Sequence, residues 1–455
     1  MSKQLRTDFK WNSDFKQVKT ELSKISSSFC LAKWLQSTIH FQLGTTHSCH
    51  HLLTHKITPD DIKNSHTGIH NTSVKLNERA LMLSGVQPDP CNYCWNIENS
   101  NPDAVSDRIL KSSASWAYPH GNDVIASNLG ENISPTYLEV SFSNLCNFKC
   151  SYCSADYSSK WQNELETLGN FSTRNGEATT TILKEETNLL LNSFWKWWPE
   201  LKKHLHIFRI TGGEPLLSPA TWNIFDDLSI NPAPNLQLAI NSNLGVPTNI
   251  IKKFIEHANS LINKKNINEV RLFTSLDTLG VDAELSRNGL NQNLFFENLN
   301  LIMEEVPSLR IVIMVTYNAF SVNNFTDLLK KIYELRGKYL NDQRWQPIGI
   351  SSNYLRHPEH LSIKVLPERH LLKMEESLNY MKSEFHDSIK NKQGYFIHEI
   401  NSLSNIIDWF KQPIDANEKK RLQANFLQFW SEHDQRRGTH AIKRINELNL
   451  LNETI

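Results

Sequence analysis

Three cysteines fall within eight residues, Cys146, Cys150 and Cys153, and four more lie upstream at Cys30, Cys49, Cys91 and Cys94. Three thiolates on one short loop can ligate three irons of a 4Fe-4S cubane and leave the fourth iron open to a small molecule. The alternative for that loop is structural zinc. Zinc usually takes four ligands with paired CxxC spacing, and no fourth ligand is evident beside the loop. The upstream set runs Cys30, thirteen residues, Gly44, four residues, Cys49, a gap of forty-one, then Cys91-Asn92-Tyr93-Cys94. Four thiolates would close a second cubane completely, leaving no iron free. Here too zinc is an alternative, with Cys91 and Cys94 joined by two histidines from His47, His50, His51 and His55. Otherwise these histidines read as groups behind the ligands or facing solvent. An odd total of seven cysteines, mostly clustered, suggests metal in a reducing cytosol rather than disulfides.

Positioning such loops requires a scaffold, and the text after Pro135 supplies one. Short apolar segments at 137–142, 206–210, 236–241, 270–275, 310–316 and 347–351 read as strands, with helical stretches such as 184–198, 247–263 and 322–336 between them. This alternation implies a parallel sheet or barrel whose strand C-terminal ends carry the active site. Six such strands suit an incomplete barrel, so the fold class is α/β, a partial (β/α)6 TIM-like barrel. The aromatic run Phe194, Trp195, Trp197, Trp198 reads as the buried face of a helix on that barrel, with substrate stacking as the alternative. Residues 1–24 read as a polar lead-in with one helix, 25–107 as a small metal-organised module, 108–134 as a linker rich in Asn and Ser, 135–360 as the barrel, and 361–455 as a helical C-terminal region.

Composition bounds the partners. The 455 residues carry 48 Lys plus Arg against 48 Asp plus Glu, so no global field favours nucleic acid or an anionic membrane. No apolar run approaches the ~20 residues of a membrane span, and the charged N-terminus lacks a signal peptide, so the expectation is a soluble cytoplasmic protein.

The motif Cys146-Asn147-Phe148-Lys149-Cys150-Ser151-Tyr152-Cys153 resembles the radical S-adenosylmethionine (SAM) superfamily, whose signature is CxxxCxΦC with an aromatic at Φ, here Tyr152. Downstream, Gly212-Gly213-Glu214-Pro215 matches the family's GGEP motif after the second strand. The resemblance implies that this motif receives the amino group of SAM. The glycines would let the backbone approach the ligand, and Glu214 would supply a charged acceptor. It also implies that Ser275 and Arg287 hold the ribose and carboxylate, that Asn241 and Asn243 point toward the mouth, and that Val315 lines the adenine. For Arg287 the plainer reading is a surface salt bridge, and for Val315 it is core.

The upstream cysteines are similar to the twitch form of the SPASM-type auxiliary module, in a subset where it precedes the barrel; the text 79–85, RALMLSG, fits that subset. The implied cofactors are a SAM-binding 4Fe-4S cluster, SAM and a second 4Fe-4S cluster suited to electron transfer. The implied external partner is a one-electron donor such as flavodoxin or ferredoxin. Two substrates are open: a peptide or protein side chain, or a small sugar-like or alcohol molecule. A reading from another class is a non-catalytic iron-sulfur electron carrier or redox sensor, which would assemble a cluster without binding SAM.

Overall fold

The computed structural model describes residues 4–6, 12–101, 103–127, 132–174, 184–341 and 346–451. The chain is a mixed α/β protein built on one nine-stranded, mostly parallel sheet. Its strands are β1 (Gln36–His40), β2 (Thr45–His47), β3 (His55–Lys56), β4 (Tyr137–Ser141), β6 (Ile207–Thr211), β7 (Ala233–Asn241), β8 (Ile267–Ser275), β10 (Arg310–Tyr317) and β11 (Ile348–Tyr354). Two short strands, β5 (Lys149–Cys150) and β9 (Arg287–Asn288), pair antiparallel outside it. The order is β11-β10-β8-β7-β6-β4-β1-β2-β3. All six segments read as strands from the sequence are strands here, side by side in chain order from β4 to β11.

Alternation along these strands explains why the sheet forms and which face works. In β10, Ile311, Ile313, Val315 and Tyr317 are buried, while Arg310, Val312, Met314 and Thr316 are half-buried. The same split separates Leu138 and Val140 from Glu139 in β4, and Phe208 and Ile210 from Arg209 and Thr211 in β6. A period-two pattern of β-branched and aromatic residues gives one apolar face for helices to cover and one mixed face left partly open. Helices Lys184–His204, Thr248–Asn263, Gln292–Glu305 and Ser321–Tyr339 lie between successive strands and supply the cover. Phe194, Trp197 and Trp198 are buried, with Trp198 4.9 Å from Phe208, so this aromatic run is core. Val315 likewise belongs to the apolar face, and its neighbours Met314 and Thr316 are the residues on the mixed face.

The N-terminal part departs from the expected layout. The segment 25–107, read as a small metal-organised module, also extends the main sheet: β1 lies parallel to β4 and pairs Thr38 with Glu139 and His40 with Ser141. Period-two reading missed β1 because Gln36, Ser37, Thr38 and His40 are polar on both faces. Residues 108–134, read as a linker, include helices Asp107–Ser112 and Gly121–Ala126 and bury Trp116 and Tyr118. These join Val18, Leu22, Phe29, Trp34 and Trp95 in a second hydrophobic core. Gly121 there serves packing: a Cβ on it would stand 2.4 Å from Leu5. Residues 128–131 lie outside the described set. The C-terminal region is helical, and its helix Ala416–Arg437 buries Phe426, Phe429 and Trp430, with Phe429 4.9 Å from Phe171 and Trp430 4.9 Å from Phe320. No helix among the described residues is long and apolar enough to cross a membrane.

Candidate functional site

The C-terminal ends of β4, β6, β7 and β8 converge on a cavity of about 390 Å³. Its wall includes Cys146, Cys150 and Cys153 from the loop after β4, Gly212 and Gly213 after β6, Asn241 and Asn243 at the end of β7, Ser275 ending β8, and Arg287. Tyr152 and Tyr157 complete the cysteine-loop side. Of the residues that the resemblance assigned to SAM and its cluster, all line this one space except Glu214, Pro215 and Val315.

The cysteine loop is held from outside by its own backbone carbonyls. Trp161 Nε1 donates to Cys150 O at 2.8 Å, Arg437 Nη1 to Lys149 O at 2.8 Å, and Ser158 Oγ to Phe148 O at 2.6 Å. Ser151 N donates to Ser286 O at 2.8 Å, and β5 pairs Cys150 with Arg287 of β9. Phe148 is buried against Gly245 and Gly289, where added Cβ atoms would stand 2.3 Å and 3.0 Å from its ring. None of these contacts uses a thiol. The sulfurs make only longer contacts: Phe148 N donates to Cys146 Sγ at 3.4 Å, and Cys153 Sγ lies 3.7 Å from Ser154 O. Burial pushes the Cys146 and Cys153 thiols up to about 12, and raises Cys150 against the pull of Arg287. Binding metal there would therefore release protons.

Arg287 is neither at the surface nor unengaged. Its Nε and Nη2 donate to Asp277 at 3.0 and 3.3 Å, Tyr152 Oη donates to the same carboxylate at 2.5 Å, and Thr316 N does so at 2.8 Å. The remaining nitrogen, Nη1, lies 3.8 Å from Cys150 Sγ. Asp277 is the organising residue that motif reading passed over, although it lies two positions beyond Ser275 at a strand end. Arg437 was equally invisible, because nothing in a helical C-terminal region marks one arginine for a loop 288 residues earlier.

The glycines after β6 serve a close approach, but to the protein itself. A Cβ on Gly213 would stand 2.2 Å from Leu145 O, and Gly212, at φ +112°, would meet Ser141 Oγ at 2.5 Å. The cysteine loop crosses directly over them, so the two motifs fix each other. Glu214 is buried, with its carboxylate accepting from Asn243 N at 2.6 Å and Leu216 N at 3.1 Å, which staples the β6 loop to the β7 loop. Pro215 opens the 3-10 turn Pro215–Leu217.

Burial raises the Glu214 carboxyl from 4.5 to about 7 in spite of these amides. The folded chain thus holds this proton more tightly than the unfolded chain. The linked stability is fully present below about pH 4.5 and is lost as pH rises through about 7. A shift of this size corresponds to on the order of 3 kcal/mol. Denaturant titrations of the metal-free protein across that window should show this decline, and Glu214→Gln should flatten it. Parallel wild-type and variant profiles would retire the assignment.

The upstream cysteines also meet. Cys30, Cys49, Cys91 and Cys94 line a second cavity with Lys111, whose Nζ donates to Cys49 Sγ at 3.1 Å. Cys30 precedes the helix Ala32–Leu35, Cys49 follows β2, and Cys91 and Cys94 sit at the start of the helix Asn92–Ser100. Burial pushes Cys91 and Cys94 up to about 12. Of the nearby histidines only His51 lines this cavity, stacked on Tyr93 at 3.7 Å with Nε2 2.7 Å from Asp107. His55 bonds Thr72 Oγ1 at 2.8 Å and His47 is buried on β2, so neither is solvent-facing. Among the described residues no three His, Cys, Asp or Glu side chains converge where a single metal ion would sit.

No family model matches the chain. No curated protein matches it either. Among solved structures the chain is similar to the crystal structure of Streptococcus suis SuiB bound to S-adenosylmethionine, at 12% identity, with 72% of this chain and 75% of that chain covered and a TM-score of 0.31.

Proposed function

We propose that this chain is a radical SAM enzyme that cleaves SAM reductively and abstracts hydrogen from its substrate, oxidising a peptide or protein side chain. The observation that carries the reading is one cavity at the C-terminal ends of four parallel strands, with three cysteines of a single loop on its wall. Three thiolates on one loop suit a 4Fe-4S cluster with one iron left open, whereas structural zinc would want a fourth ligand. Cys146, Cys150 and Cys153 would hold it, and Gly212, Gly213, Asn241, Ser275 and Arg287 would bound the space left for SAM. The chemistry such a cluster supplies when bound is one-electron reduction of the SAM sulfonium, giving methionine and a 5′-deoxyadenosyl radical.

The chain's own contribution is positional. Trp161, Arg437 and Ser158 fix the loop backbone, Asp277 orders Tyr152 and Arg287, and Glu214 ties the β6 and β7 loops together, contacts that hold the wall through the protein's own groups. The four-thiol cavity supports reading the N-terminal segment as a twitch-type module for a second, fully ligated 4Fe-4S cluster. The sheet from β4 to β11 is the partial barrel of this reading. A one-electron donor such as flavodoxin or ferredoxin would serve it.

Anaerobic reconstitution with iron and sulfide, followed by dithionite and SAM, should release 5′-deoxyadenosine, measured by chromatography with mass detection. Protein that carries iron yet neither binds nor cleaves SAM would instead be an electron carrier or redox sensor. A small alcohol or sugar turned over in preference to peptides would replace the peptide part of the proposal alone.

A further inference from the structure

The mixed face of the sheet changes character where β2, β1 and β4 meet. Gln36, Thr38 and His40 alternate along one face of β1; His47 pairs with Thr38, Thr45 pairs with His40, and Ser141 of β4 pairs with His40 from the other side. In-register partners share a face, so these six side chains form one patch. Each is at least nine-tenths buried. Yet Gln36 Oε1, Thr38 Oγ1, His40 Nδ1, Thr45 Oγ1, His47 Nδ1 and Ser141 Oγ have no hydrogen-bond partner among the described residues. The opposite face shows the contrast: Ser37 Oγ and Thr46 Oγ1 each accept from Lys75 Nζ at 2.8 Å. A buried polar atom that has lost its water without replacement is costly, and folds keep such atoms where something else completes them.

We propose that this patch binds the polar part of the substrate, an uncharged group bearing hydroxyls or amides. The inference rests on the radical SAM reading for the word substrate, but not for the existence of the site. The patch lies between the two cysteine cavities. The His40 ring is 5.7 Å from Tyr157, which lines the three-cysteine cavity, and 5.6 Å from His47; His47 is 5.6 Å from His50, the neighbour of Cys49 in the other. Along the same register Thr38 pairs with Glu139 and Glu139 with Arg209, both half-buried, and His50 at the far end of the strip is exposed. A neutral ligand fits the local charge. Arg209 is spent on Asn241 Oδ1 at 2.9 Å and on Glu139 at 3.9 Å, and burial first, opposed by Glu139 and Asp156 and aided by His50, holds the His40 imidazole below its ordinary value. What remains is hydroxyls, an amide oxygen and imidazole nitrogens, which pair with hydroxyl or amide groups.

Two measurements on the full-length chain test this. In the ligand-free protein, Thr38→Val and Ser141→Ala each delete a hydroxyl that has no partner, so the melting temperature should stay level or rise. A fall in both variants would mean that the hydroxyls are already satisfied, by ordered water, and would overturn the proposal. The second measurement follows the ring nitrogens of His40 by NMR during titration with N-acetylserinamide, a peptide-borne hydroxyl and amide, and separately with erythritol, a free polyol. A saturable shift with either probe, weakened about tenfold by Thr38→Val, is expected, and the stronger probe names the source. No saturable shift with either would sink the site. Saturable binding in a protein that never cleaves SAM would keep the site and reject the radical SAM reading.

Discussion

Cys150→Ala is expected to bring 5′-deoxyadenosine release down to the level of dithionite and SAM without protein. Cys150 occupies the centre of the three-cysteine loop, and its sulfur is the one nearest a guanidinium, at 3.8 Å from Arg287 Nη1. Its backbone is held by Trp161 and by pairing with Arg287, neither of which needs the thiol. The variant should therefore fold, with a melting temperature close to wild type before reconstitution. The reconstituted protein should lose about four irons per chain, one cubane. Folding and ligation are thus read separately, and sustained turnover by a folded Cys150→Ala protein would end the radical SAM reading.

The second large effect is expected from replacing Cys91 and Cys94 together. Intact protein should carry about eight irons per chain, two cubanes, and the double variant about four. Cys91 and Cys94 share a cavity with Cys30 and Cys49, so removing two of four thiols leaves too few ligands for a closed cluster. Lys111 adds an electrostatic cost: its ammonium donates to Cys49 and lies 3.1 Å from Asp107, an arrangement suited to an anionic ligand set in that cavity. Iron and zinc analysis decides the matter. Four irons in the intact chain, or zinc in place of the second four, would remove the auxiliary cluster.

The strands of the main sheet were legible because alternation in Arg310–Tyr317 and its neighbours is a local property of the sequence. The three-cysteine loop was legible for the same reason, since its three ligand candidates lie within eight residues. What stayed hidden was set by partners distant in sequence. Strand β1 is polar on both faces, and it is a strand because β4 offers it an edge and Lys75 completes its lower face. Arg287 reads in isolation as a cation awaiting an anionic ligand, whereas in the fold it belongs to Asp277. Glu214 reads as a ligand carboxylate, and its oxygens are taken by two backbone amides. In both, the residue type was informative and the recipient of its hydrogen bonds was not.

The grip of Arg437 on Lys149 O also has a consequence for the order of events during synthesis. The same guanidinium donates to Glu164 at 3.1 to 3.2 Å and stacks 4.5 Å over Trp161, the side chain that holds Cys150 O. A growing chain has made every cysteine long before it has made this arginine. At the usual ~5–20 residues per second, the separation of 288 residues leaves the loop without its clasp for roughly 15 to 60 s after it leaves the ribosome. On the reading of Cys146, Cys150 and Cys153 as metal ligands, their loop would therefore gain its full set of backbone clasps only after Arg437 has been made, so that metal loading would follow synthesis of this helix.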